Sequence, residues 1–108
     1  MINSYFSRVS ESKFWQANKN RSIKVSRESL SRELDISDTN NLSINDCVYW
    51  LNSRLGINSF EVMIKKPGLT PSRRGFAPGH YNVVEFRFTP EAYSIVLISG
   101  LFDELTIR

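Results

Sequence analysis

Long apolar runs are missing from this 108-residue chain. With them goes the means of crossing a bilayer as a helix, which takes about 20 consecutive apolar residues. Histidine and cysteine each occur once. A single thiol, Cys47, cannot close an internal disulfide, which suits a reducing cytoplasm. His80 stands beside Pro78 and Gly79, with no cysteine and no paired carboxylates near it, so zinc-type ligand spacing is lacking. "GFAPGH" lacks the spacing of a nucleotide phosphate loop. The opening "MINSYFSRVSESKFW" has neither the charged start nor the long apolar centre of a signal peptide. Internal repeats and low-complexity tracts are missing too. These shortages lead to the expectation of one cytoplasmic domain over residues 1–108, not an enzyme, with no cofactor, no metal and no membrane contact.

What the chain does have is ordinary composition and uneven charge. The hydrophobic fraction is 41% and the charged fraction 23%, enough for a modest core. Net charge is +3. Residues 1–34 carry +4, residues 35–59 carry −2, residues 60–88 carry +3 and residues 89–108 carry −2. Two basic segments flank a mildly acidic one, compatible with a one-sided positive face or with simple solubility.

Local pattern predicts most elements. In the N-terminal segment, residues 1–22, Ile2, Tyr5, Phe6 and Val9 have helical spacing, although Tyr5, Ser7 and Val9 also alternate; a short helix is preferred. "NKNR" reads as a turn and "SIKV" as a short strand. Ser26 caps a helix over Arg27–Leu34, with Glu28 in its first turn. "SDTNN" ends it. Ser43 with Asp46 resembles a capping box, and the apolar stripe Ile44, Cys47, Val48, Leu51 and Leu55 predicts a helix to Leu55 that Gly56 stops. Cys47 falls on that stripe as a small core residue. The opposite face shows Asn45, Tyr49, Asn52 and Arg54. Phe60–Ile64 and Tyr81–Phe88 read as paired strands. Thr89, Pro90 and Glu91 start a helix that Gly100 ends. "LFDELTIR" is a last strand or a docking segment.

Between the paired strands lies a long insert with four basic residues, three prolines, three glycines and no acid. Connections of that length are usually functional or disordered. Lys65, Lys66, Arg73 and Arg74 are side chains that neutralise phosphates, and arginine can also read guanine bidentately. They are expected to project from a hairpin tip. On the helix before them, Asn45, Asn52 and Arg54 suit base edges, while Asp46 would be repelled by phosphate. These seven residues are the candidate partner or nucleic-acid site. Two short helices followed by a hairpin suggest an α+β, winged-helix-like fold: a helix-turn-helix, a β-hairpin with a long basic loop and a closing helix.

"IKVSRESLSRELDI", "SINDCVYWLNSRLGINSF" and "SRRGFAPGHYNVVEFRFTPEAYSIVLIS" together resemble phage antirepressors of the AntA/AntB type. The likeness runs over residues 23–99. It rests on Val25, Ser26, Arg27, Leu30 and Leu34; then Asn45, Asp46, Trp50 and Arg54; then Phe60; then Arg73 to Gly75, Tyr81, Thr89 and Ala92. Trp50 stands further from Asp46 than in the family's run, and the turn at 37–42 is longer. The resemblance implies a phage regulatory protein that relieves repression by binding a repressor or by occupying DNA. Two other readings stay open: a phage-encoded protein inhibitor of a host defence or regulatory complex, and a host transcriptional regulator. The partner is thus DNA or a DNA-binding protein, and a homodimer is left open.

Overall fold

Four hydroxyl side chains mark where helices begin. The computed structural model describes residues 12–65 and 83–105. Ser12 Oγ accepts from the Trp15 amide at 2.9 Å and Ser26 Oγ from the Ser29 amide at 3.0 Å. Ser43 Oγ accepts from the Asp46 amide at 3.1 Å and Thr89 Oγ1 from the Ala92 amide at 3.3 Å. Each satisfies an amide that has no partner within its own helix. The helices are α1 (Lys13–Ala17), α2 (Arg27–Glu33), α3 (Ile44–Leu55) and α4 (Pro90–Ser99). For α3 the Asp46 carboxylate returns the bond, accepting from the Ser43 amide at 3.0 Å, so the capping box is complete. Gly56 and Gly100 end α3 and α4 with φ of 66° and 70°, a conformation that costs glycine little.

Strands β1 (Ser22–Ser26), β2 (Phe60–Lys65) and β3 (Val83–Phe88) form one antiparallel sheet in the order β1-β3-β2. The fold is mixed α+β. Ile23 pairs with Phe86 and Val25 with Val84 on one side of β3; Phe60, Val62 and Ile64 pair with Phe88, Phe86 and Val84 on the other. Strand alternation puts these residues on one sheet face, and the buried residues of α2, α3 and α4 join them in a single core. Phe86 sits at its centre with no exposure. Phe102, just past α4, meets Phe86 at 5.0 Å and Trp50 at 5.5 Å, both edge-on. This geometry suits the ring quadrupoles.

Some expectations are corrected by this packing. Val48 is not part of the buried stripe of α3; it is exposed, and Trp50 is buried in its stead with Cys47 and Leu51. Turning the helix toward Trp50 buries the larger ring against Phe102, which no local spacing announces. A short helix, α1, occupies residues for which the sequence suggested none. Helix α2 stops one residue early, at Glu33, and the chain reaches α3 through a 3₁₀ turn, Thr39–Asn41. Of the two readings of the last segment, strand or docking segment, residues 101–105 follow the second: the chain turns there and docks through Phe102. The helix suggested by Ile2, Tyr5, Phe6 and Val9 lies outside the described residues.

Candidate interaction site

The ladder between β2 and β3 runs from Phe60 opposite Phe88 to Lys65 opposite Val83. Both ends of the basic connection therefore leave the sheet side by side. Lys66, Arg73, Arg74 and His80 lie in that connection, outside the described residues. Lys65 does not project from a hairpin tip. It is the last residue of β2, and its Nζ lies 2.7 Å from Oε1 of Glu85. Glu85 is 1% exposed and faces away from the main core. Its other oxygen, Oε2, accepts from Arg87 Nε at 2.8 Å. Arg87 Nη1 in turn donates to the Trp15 carbonyl at 2.7 Å, and its guanidinium carbon sits 4.0 Å from the Trp15 ring centroid. Helix α1 thus covers this second sheet face by a cation–π contact and a charge-assisted hydrogen bond. Ser12 Oγ adds a bond to the Glu61 carboxylate at 2.9 Å.

Burial alone would raise the Glu85 pKa, but hydrogen bonds from Lys65 and Arg87, with their charges, outweigh it. The carboxyl is held below its ordinary value and stays ionised between two cations. This cluster anchors Lys65 at the root of the connection. Lys65 is still 41% exposed, so its charge reaches solvent at the sheet's end.

On α3, Asn45, Asn52 and Arg54 are exposed, as the helix face requires. Two of them already have local partners. Asn52 Nδ2 donates to the Ile57 carbonyl at 3.0 Å, holding the turn after the helix. Arg54 lies 3.6 Å from Glu33 of α2. The Arg54–Glu33 pair borders a depression of about 380 Å³, also lined by Ile36, Asp46, Tyr49 and Trp50. A second depression of about 480 Å³, lined by Arg32, Glu33, Asp103 and Glu104 among others, carries more acid than base. Neither is a natural phosphate seat. The α3 residues and Lys65 do not form one constellation, because alternation along β2 sends Lys65 to the sheet face opposite α3.

The residues that organise the second face, Trp15, Glu85 and Arg87, were not among those singled out from the sequence. The alternation of "VVEFRF" was their one trace, and it reads equally well as a solvated strand face. Cys47 is fully buried. Burial pushes its thiol up to about 12, with the Asp46 charge adding to the rise against a smaller opposing pull from Arg27. A thiol that stays protonated is a poor nucleophile. A thiol-reactive probe at pH 8 is expected to label the native protein at least about a hundredfold more slowly than the urea-unfolded chain. Similar rates in both states would place Cys47 within reach of solvent.

No family model matches the chain, and neither a curated protein nor a solved structure matches it. Among the described residues, no helix is long and apolar enough to cross a membrane. No three His, Cys, Asp or Glu side chains among them come together as a metal-binding group.

Proposed function

We propose that this chain is a small phage-type regulatory binding protein, antirepressor-like, that engages DNA or a DNA-binding repressor through its basic β2–β3 connection. The observation that carries the reading is the placement of that connection. Paired strands hold its two ends together, and the Glu85 cluster fixes Lys65 at its root. The order of elements supports a winged-helix-like architecture: α1, β1, α2, α3, β2, β3, with the sheet ordered β1-β3-β2. In that architecture the β2–β3 connection is the wing, and α3 the helix offered to the major groove. The connection between α2 and α3 is longer than the three or four residues of a tight helix-turn-helix.

A second reading, a protein inhibitor of a host defence or regulatory complex, draws on the state of α3. Asn52 and Arg54 are engaged locally, and Asp46 is held at the helix start, so the face is poorly prepared for base edges. A basic connection docks equally well on an acidic protein surface.

One pair of measurements separates these readings. With duplex DNA, affinity should fall steeply with added salt, because phosphate contacts release counterions. Replacing Arg73 and Arg74 with alanine should reduce the slope of log K against log salt by about 2 and leave the melting temperature nearly unchanged. An absence of DNA binding at low salt sinks the DNA arm. Capture of a repressor or host complex from lysate that survives nuclease, and is lost in the double variant, supports the protein arm. Unchanged binding in the double variant overturns the proposed role of the connection in both.

A further inference from the structure

We infer that the face formed by α1, the turn after it and β1 binds the phosphate backbone of a nucleic-acid duplex. The cations of the described residues fall into two groups. Arg54, Lys65 and Arg87 each have a carboxylate partner. No cation from Lys13 to Arg32 has one among the described residues, and Lys13, Lys19 and Lys24 are exposed. From Ser12 to Arg27 the sequence carries five cations and no acid, between Glu11 and Glu28. This stretch belongs to the first of the two basic segments, and the basic connection belongs to the second.

The fold gathers these charges on one side. Ile23 and Val25 are buried in the core, so Lys24 between them faces the other side of the sheet, where Trp15 holds α1 over Arg87. Lys65 emerges on that same face at the opposite edge. In α1, Lys13 precedes Trp15 by two residues, about 200° round the helix, and so points away from the sheet that Trp15 covers. Arg21 is fixed in the turn: its Nε and Nη2 donate to Asn18 Oδ1 at 3.2 and 2.8 Å. A cation held by a neutral amide keeps its whole charge for an external anion and loses little freedom on binding. The acids of this face are Glu85, buried between two cations, and Glu61, which accepts from Ser12. Helix α3 lies on the other side of the sheet, where Arg54 is paired with Glu33 and Asp46 adds a negative charge. The duplex therefore lies across the α1–β1 face and not along α3.

What the patch lacks selects its occupant. The large exposed apolar side chains of the described residues all lie on α3 and α4. Phe14 is half-buried and Trp15 is buried. A protein interface is anchored by aromatic or aliphatic side chains at its centre, and a membrane surface rewards side chains that enter its apolar layer. Single strands are held by stacking bases on exposed rings. A duplex backbone needs none of these. Cations release its counterions, and polar groups such as the exposed Asn20 position it. Contacts of this kind carry no base information, so binding is indifferent to sequence. The inference does not depend on the basic connection, because its cations are other residues.

Anisotropy of a labelled mixed-sequence DNA duplex of about 20 base pairs, titrated with the full chain across a salt series, tests it. Lys13→Gln, Lys19→Gln and Lys24→Gln together should lower the slope of log K against log salt by about 2–3 and weaken low-salt binding about tenfold or more. The melting temperature should not change, because exposed charges contribute little to folding. Arginine at the same three positions should restore binding, since the backbone reads charge. Arg54→Gln on α3 should leave the slope unchanged, and a duplex of different sequence should bind as tightly. A loss in the glutamine variant but not in the Arg73–Arg74 alanine variant supports this surface and overturns the connection as the DNA site. A loss in both supports both. Duplex binding that ignores the glutamine variant overturns the inference alone. An absence of duplex binding overturns it together with the DNA arm above and leaves the protein arm standing. Tighter binding to anionic phospholipid vesicles than to duplex also overturns it.

Discussion

Trp50→Ala is expected to lower the unfolding free energy by about 3–5 kcal/mol, while Val48→Ala changes it by no more than about 0.5 kcal/mol. The two residues are neighbours on the same turn of α3, and both are apolar. Trp50 is 5% exposed and packs edge-on against Phe102 at 5.5 Å and at a tilt against Phe86 at 6.2 Å. Val48 is 37% exposed. Truncating Trp50 leaves a cavity between α3, the sheet and the segment after α4, three elements that cannot all collapse into it. Trp50→Phe should lose much less. It keeps an aromatic ring and removes the indole Nε1–H, which is buried without a hydrogen-bond partner. Urea unfolding of the three variants decides the matter. Equal losses at positions 48 and 50 would mean that α3 buries a wider face than its exposures indicate. A Trp50→Phe loss as large as that of Trp50→Ala would mean that the indole itself is needed.

That contrast also shows where sequence reading stops. The ends of α3 were legible because a capping box and a C-terminal glycine are local devices. Ser43, Asp46 and Gly56 carry their own signal. Its rotation was not. The spacing of Ile44, Cys47, Val48, Leu51 and Leu55 fits one face, and Cys47, Trp50 and Leu51 fit another about one residue round. What chooses between them is Phe102, more than 50 positions away. Strands β2 and β3 were legible as a pair, over Phe60–Ile64 and Tyr81–Phe88. The fate of Glu85 and Arg87 was not, because alternation says only that they face away from the core. That a short helix lays Trp15 over Arg87 depends on α1, whose five residues are too few to declare themselves by periodicity.

The candidate site divides in the same way. Residue type alone marked Lys65 as a phosphate-neutralising cation, but its pairing with Glu85 comes from sheet register, which no window of sequence contains. Asn52 and Arg54 were correctly placed on an exposed face. Their engagement with Ile57 and Glu33 depends on how the chain turns after α3 and where α2 ends. The exposed side of α4 was hidden for the opposite reason. "YSIVLIS" is apolar throughout, so nothing in it separates the buried Val96 from the exposed Ile98 beside it.

Glu85→Gln is expected to cost about 3 kcal/mol at pH 7, near the lower end of what breaking a buried ion pair costs. The loss is moderated because Lys65 is 41% exposed, so water takes over part of its charge. Arg87 has no such relief. It is 16% exposed, and without the carboxylate it keeps only the Trp15 carbonyl and ring as partners among these contacts. The pH dependence has a definite sign. Glu85 in the folded chain titrates below the ordinary carboxylate value of 4.5, because Lys65 and Arg87 outweigh its burial. The unfolded chain therefore takes up the proton first as pH falls. The stabilisation is complete above the unfolded value and is lost as pH drops through the lower, folded one. The gap in unfolding free energy between parent and variant should thus stay constant from pH 7 to about 5 and narrow below about 4.5. Urea unfolding at several pH values measures it directly. A gap that stays the same down to pH 3 would show that the variant loses packing or hydrogen-bond geometry instead of charge. A gap that widens on acidification would mean that the carboxyl is protonated more readily in the folded chain, and the two cations do not hold it ionised.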